Sequence, residues 1–191
     1  LMPLPKEEYF TYADYLTWEE QEHTELIEGV PMMMAPPSRM HQQISGEIFR
    51  QLANYLEGKQ CRVYAAPFSV RLFAQSDTPD NQVSTIVEPD ISVICDRDKL
   101  DDRGCVGAPD LVVEVISPSS IRHDRLTKFN LYRRAGVREY WIVSPDEQTV
   151  QVCVLQDGSY QTVDLGVPGD VVKVNVLDGC FIELARVFRQ D

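Results

Sequence analysis

The stretches Val87-Glu88-Pro89-Asp90-Ile91 and Pro109-Asp110-Leu111-Val112-Val113-Glu114-Val115-Ile116 set Asp90 and Glu114 inside segments that otherwise read as buried β-strands. A carboxylate removed from water costs several kcal/mol unless a partner offsets it, so each needs a cation, a metal or a set of donors. A divalent metal is the economical partner, because Mg²⁺ is held by one or two carboxylates while waters and a substrate phosphate complete its shell. The plainer alternative makes Asp90 a turn residue after Pro89 and Glu114 an edge-strand acid paired with arginine. Both acids lie close to a Pro-Asp dipeptide in a Val/Ile-rich run, which favours a site. Asp110 shares a strand face with Val112 and Glu114, which makes it either a third acid or a strand-entrance turn residue. Asp124 and Lys128 are four apart and point the same way from a helix, an arrangement equally open to an ordinary surface ion pair.

These residues need elements to hold them. The apolar positions Ile44, Ile48, Leu52, Tyr55 and Leu56 recur at helical steps and predict a helix from about Met40 to Leu56. Thr24 to Met34 reads as two strands turning at Gly29. Thr17-Trp18-Glu19-Glu20 has the form of a capping box and predicts a short helix start, either on its own or extending a helix that begins near Thr11. Strands are expected over Cys61–Ala65, Phe68–Phe73, Ile86–Cys95 and Leu111–Ser117, with a hairpin loop at 74–84 and a mobile loop at 96–107. A basic helix capped by Ser119, Ser120 or Asp124 runs to about Ala135 and stops at Gly136. Strands follow over Glu139–Val143, Thr149–Leu155, Tyr160–Leu165 and Val171–Val176. That order gives an α/β or α+β fold around a central mixed sheet flanked by helices.

With 191 residues and 43% hydrophobic content the chain suits one domain spanning 1–191, its core at about 24–155 and further strands at 156–191. A net charge of −12 argues against a general affinity for polyanions. Against that background Arg122, Arg125, Lys128, Arg133, Arg134 and Arg138 form one basic stretch. The five cysteines are scattered and dictate neither a zinc site nor a disulfide framework. No charged-plus-apolar leader and no apolar run near the roughly 18–20 residues of a membrane span is present, so a cytoplasmic, reduced protein is expected.

The spacing of Pro89-Asp90 and Glu114 resembles the core of the PD-(D/E)XK superfamily of restriction-endonuclease-like nucleases. More closely, Val87–Ile91, Ala108–Ser120, Asp124-Arg125-Leu126-Thr127-Lys128, Tyr132–Trp141, Glu25–Gly29 and the Met34–His41 stretch resemble the Uma-type branch of bacterial endonucleases. The resemblance implies a restriction-endonuclease-like fold and an endonuclease that hydrolyses DNA phosphodiester bonds with Mg²⁺ or Mn²⁺. It implies Asp90 and Glu114 as metal ligands and catalytic residues. Ile116 stands where the superfamily's usual lysine would be, and the resemblance assigns that role to Lys128, from the following helix. Glu25 matches the family's additional acid, with a solvated hairpin acid as the alternative.

Hydrolysis of a phosphodiester needs an activated water, a metal on the phosphoryl oxygens and a cation near the developing charge. Lys128 would orient or deprotonate the water or steady that charge, and Asp124 would hold Lys128. His41, at a helix start, suits either a hydrogen bond to phosphate or metal-bound water, or a capping role. Arg122 and Arg125 are the candidate phosphate contacts. A homodimer follows by analogy, since two sites cut two strands. Two other functions stay open on the sequence: a catalytically inactive nuclease-like scaffold that dimerises and binds protein or nucleic acid, and a metal-dependent hydrolase of a small phosphorylated metabolite.

Overall fold

A computed structural model describes residues 8–19, 23–120 and 122–190, without the side chain of Asp124. Its elements in chain order are α1 (Tyr12–Tyr15), β1 (Thr24–Ile27), β2 (Val30–Met33), α2 (Arg39–Leu56), β3 (Arg62–Ala65), β4 (Val70–Arg71), β5 (Ile86–Val87), β6 (Ile91–Ile94), β7 (Leu100–Asp101), β8 (Gly104–Val106) and β9 (Leu111–Val115). A π-helical stretch, His123–Lys128, then runs into α3 (Phe129–Ala135), followed by β10 (Glu139–Ser144), β11 (Thr149–Gln156), β12 (Ser159–Gly166), β13 (Val171–Lys173), β14 (Phe181–Glu183) and α4 (Leu184–Val187).

Among the described residues the strands form two six-stranded sheets and one two-stranded ribbon. The larger sheet runs β12-β11-β10-β9-β6-β3, with β9 and β10 parallel and the remaining neighbours antiparallel. Parallel neighbours need a crossover, and the π-helical stretch with α3 supplies it. Both faces of β9 are covered, which explains why it is apolar at every position but Glu114. Leu111, Val113 and Val115 pack with Ile44, Ile48, Leu52 and Leu56 of α2, whereas Val112 and Ile116 pack with Leu131 and Tyr132 of α3. Ile182, Leu184 and Val187 join the α2 side.

The smaller sheet runs β2-β1-β5-β4-β8-β7. Its first hairpin turns through Glu28 and Gly29, both at positive φ, the geometry of a two-residue hairpin loop. Gly29 also lies under the Tyr9 ring, where a Cβ would collide.

Several expectations change. The expected strand over 86–95 is two strands, because Pro89 cannot donate to a ladder. β5 belongs to the smaller sheet and β6 to the larger, so Glu88-Pro89-Asp90 is the crossing between them. The strand expected over 68–73 shrinks to Val70–Arg71. The loop expected at 96–107 contains the β7–β8 hairpin. Thr11 and Asp14 form a capping box at the start of α1, and the Thr17 hydroxyl donates to the Asp14 carbonyl; the box expected at Thr17 rests on Glu20, which lies outside the described residues. Among the described residues no side-chain cap is made at Arg122, where the basic helix begins, and Ser120 Oγ accepts from Ser117 N in a local turn. Cys61 and Cys95 are joined in a disulfide beside the β3–β6 pair, a pairing the scattered spacing did not foreshadow.

Candidate active site

Asp90 enters from the sheet crossing. The last antiparallel pair of β6 and β9 is Ile91 with Val113, so one further step sets Asp90 opposite Glu114. Asp90 Oδ2 accepts a 2.7 Å hydrogen bond from Val115 N, which ties it to the strand that carries Glu114. His41 Nε2 lies 3.2 Å from the same oxygen. Ser38 caps α2 by accepting from His41 N, and that cap fixes where the imidazole begins. The side chains of Asp90 and His41 are each 17% exposed, so this pair forms the solvent side of the cluster.

Glu114 is deeper. Its Oε1 accepts from the Tyr132 hydroxyl at 2.9 Å and its Oε2 lies 3.3 Å from Lys128 Nζ. Lys128 Nζ also donates to Glu25 Oε1 at 3.0 Å, and that oxygen accepts from Glu88 N at 2.9 Å. Glu25 shares a strand face with Ile27, which packs in the same core as Ile116 and Tyr132. The hairpin acid is therefore wholly buried rather than solvated. Burial, followed by the charge of Glu25, pushes the Glu88 carboxyl above its ordinary range. Burial first, and then the Glu114 charge, holds the Tyr132 phenol well above its usual value, so it stays a donor.

Asp90, Glu114, Lys128, Glu25 and His41 thus come together. Asp110 does not join them: its Oδ1 is held by Arg138 at 2.6 Å and its Oδ2 accepts from Cys95 N. It serves the strand entrance. The expectation that Asp124 braces Lys128 falls on a side chain outside those described. Arg122 is exposed, and Arg125 lies 3.6 Å from Glu147. Tyr132 was missed as a site residue because its ring reads as core. It stands one helical step of four beyond Lys128, so the periodicity that singles out Lys128 also points to it.

Can these residues hold a divalent cation? The donors are hard carboxylate oxygens, the type Mg²⁺ takes. Lys128 offsets one of the three formal negative charges of Asp90, Glu25 and Glu114. Glu25 Oε2 is buried with no hydrogen-bond partner among the described residues. Among those residues no group of three or more His, Cys, Asp or Glu side chains is arranged around one metal position. A divalent metal would therefore rest on two of these carboxylates, with water and a substrate phosphate completing its shell. Ile116, buried against α3, leaves the E-x-K lysine position apolar.

The chain matches the model of a family, Uma2, described as "Putative restriction endonuclease", over residues 12–185. Two uncharacterized proteins of Synechocystis are similar. One is 30% identical over 145 residues, covering 74% of this chain and 70% of the relative. The other is 27% identical over 148 residues, covering 75% and 79%. A crystal structure from Anabaena variabilis, described as "a putative nuclease belonging to DUF820", superposes with a TM-score of 0.73 at 22% identity, over 94% of this chain and 97% of that one. At that identity what is shared is the fold, and it is the restriction-endonuclease-like fold. Among the described residues no helix is long and apolar enough to cross a membrane.

Proposed function

Because the chain belongs to the Uma2 family, whose description reads "Putative restriction endonuclease", we propose that it is a divalent-metal-dependent endonuclease hydrolysing phosphodiester bonds of DNA. One observation carries this reading: Lys128 Nζ reaches within 3.3 Å of Glu114 Oε2 from the following helix, although the E-x-K position is Ile116. Asp90 and Glu114 would hold Mg²⁺ or Mn²⁺. Such a metal supplies Lewis acidity at a phosphoryl oxygen and lowers the pKa of a water. The Lys128 ammonium orients the attacking water or steadies the charge gathering on the phosphoryl oxygens. Glu25 Oε1 holds that ammonium, and the backbone N–H of Glu88 holds Glu25. His41 positions Asp90. Arg122 and Arg125, on the π-helical stretch and its approach, meet the phosphates. The proposed unit is the whole chain, cutting both strands as a homodimer.

The test pairs cleavage of plasmid DNA in Mg²⁺ or Mn²⁺ with calorimetric metal titration, for the intact chain and an Asp90→Asn/Glu114→Gln variant. Metal binding and cleavage should both vanish in the variant, cleavage by at least about 10²-fold, on the scale of removing one electrostatic contributor. An intact chain that neither binds metal with DNA present nor cuts would end this reading. A second reading has its own observation: Arg125, Arg134 and Arg138 are paired with Glu147, Glu28 and Asp110, which reduces the free basic surface. It is a nuclease-like scaffold that binds without cutting. Binding of DNA or a protein that persists unchanged in the variant, without cleavage, would favour it.

A further inference from the structure

We infer that Tyr132 is a positioning residue that sets the orientation of Glu114 for a divalent cation, and so tunes which cation the site accepts. The inference rests on the proposed metal-dependent reading and deepens it. Tyr132 and Lys128 lie four residues apart across the junction between the π-helical stretch and α3, so they share one helix side. The two residues take different oxygens of Glu114: the Tyr132 hydroxyl donates to Oε1 at 2.9 Å, and Lys128 Nζ to Oε2 at 3.3 Å. A carboxylate held at one oxygen can rotate about its terminal torsion. Held at both, from one side of the crossover, it is fixed against that rotation, opposite Asp90 in the β6–β9 register.

The hydroxyl is positioned by packing rather than by chance. Tyr132 is completely buried, and its ring meets Tyr140 edge-on at 5.0 Å between centroids. Leu131 and Val137 fill the same core. A ring held this way delivers its oxygen to one place. Hydrogen bonds of this kind to a ligating carboxylate orient it and adjust its basicity.

Cation choice follows from the different demands of the ions. Mg²⁺ requires near-ideal octahedral geometry at short distances, whereas Ca²⁺ accepts irregular shells of longer bonds. Loosening Glu114 therefore penalises Mg²⁺ more than Ca²⁺.

The experiment is calorimetric titration of the full chain with Mg²⁺ and with Ca²⁺, comparing the intact protein with Tyr132→Phe and Tyr160→Phe. Tyr160 donates its hydroxyl to Val137 O in the same aromatic cluster but does not touch Glu114, so it reports the cost of losing a hydroxyl there. Tyr132→Phe should weaken Mg²⁺ binding about 10–100-fold, the usual range for such partners, and weaken Ca²⁺ binding less. Tyr160→Phe should lower thermal stability and leave the ratio of the two affinities unchanged. Equal Mg²⁺ affinity for Tyr132→Phe and the intact chain overturns the inference and leaves the metal reading standing. The same holds if both variants shift the ratio alike. An intact chain that binds no Mg²⁺, even with DNA present, overturns both.

Discussion

Lys128 Nζ stands 3.0 Å from Glu25 Oε1, although 103 positions separate the two residues in the chain. Their side chains are 2% and 0% exposed, so the pair is a tertiary link between the smaller sheet and the helix that follows β9. Removing the cation leaves two buried acids, Glu25 and Glu114, without it. Lys128→Ala should therefore lower folding stability by about 3–5 kcal/mol, the usual cost of breaking a buried pair. Loss of cleavage in that variant alone would mix chemistry with unfolding. Glu25→Gln combined with Lys128→Met should recover most of the stability and still fail to cut. Urea denaturation measures this, and an unchanged midpoint for Lys128→Ala would refute the link.

Asp110 bears on the other end of the same strand. Its two carboxylate oxygens go to Arg138 and to Cys95 N. Asp110→Ala should cost about 1–3 kcal/mol, the penalty for stranding a part-buried donor, with metal binding and cleavage per folded molecule unaltered. A variant of normal stability that no longer binds metal would return Asp110 to the site.

Glu139 is completely buried and accepts from Trp141 Nε1 at 2.8 Å, from Asn175 N at 2.7 Å and from Val176 N at 3.0 Å. Burial raises its carboxyl above the ordinary 4.5, with those donors opposing. The folded protein then holds this proton more tightly than the unfolded chain. Its contribution to stability is fully present below about 4.5 and is lost as pH rises through the folded value. The advantage of the intact protein over Glu139→Gln should thus shrink in urea titrations as pH rises above the ordinary carboxylate range. An advantage that grows as pH rises would show the donors outweighing burial.

Arg122 and Arg125 should reveal themselves through salt. Each phosphate contact adds about 0.9 to the slope of log affinity against log salt. Arg122→Ala should flatten that slope by about one. Arg125 lies 3.6 Å from Glu147, so Arg125→Ala should do less and Glu147→Gln should strengthen binding. Slopes identical across the three variants would remove both arginines from the DNA surface.

The sequence made the long elements legible because their periodicity extends over several turns or pleats. The helix expected from Met40 to Leu56 spans Arg39–Leu56, and the strand pair expected from Thr24 to Met34 turns at Glu28 and Gly29. The smaller sheet was hidden, since strands of two residues such as Val70–Arg71 and Ile86–Val87 carry no period. Burial of an acid in an apolar strand pointed to Glu114, and the same pattern holds at Glu139, which is structural. What separates them is the partner: Asn175 and Val176 lie 36 and 37 residues beyond Glu139, a distance at which local pattern says nothing. Tyr132 shows the opposite gap, with a core ring and a hydroxyl that belongs to the site.

The crossing at Glu88-Pro89-Asp90 has a consequence for how the protein comes into being. Glu25 is made 103 positions ahead of its cation Lys128, which follows both the crossing that carries Asp90 and the strand that carries Glu114. Domains assemble from such distant contacts late, after the loops between them have closed. A nascent chain therefore carries Glu25, Asp90 and Glu114 before it carries Lys128, and the cluster is complete only once synthesis has passed the crossover helix.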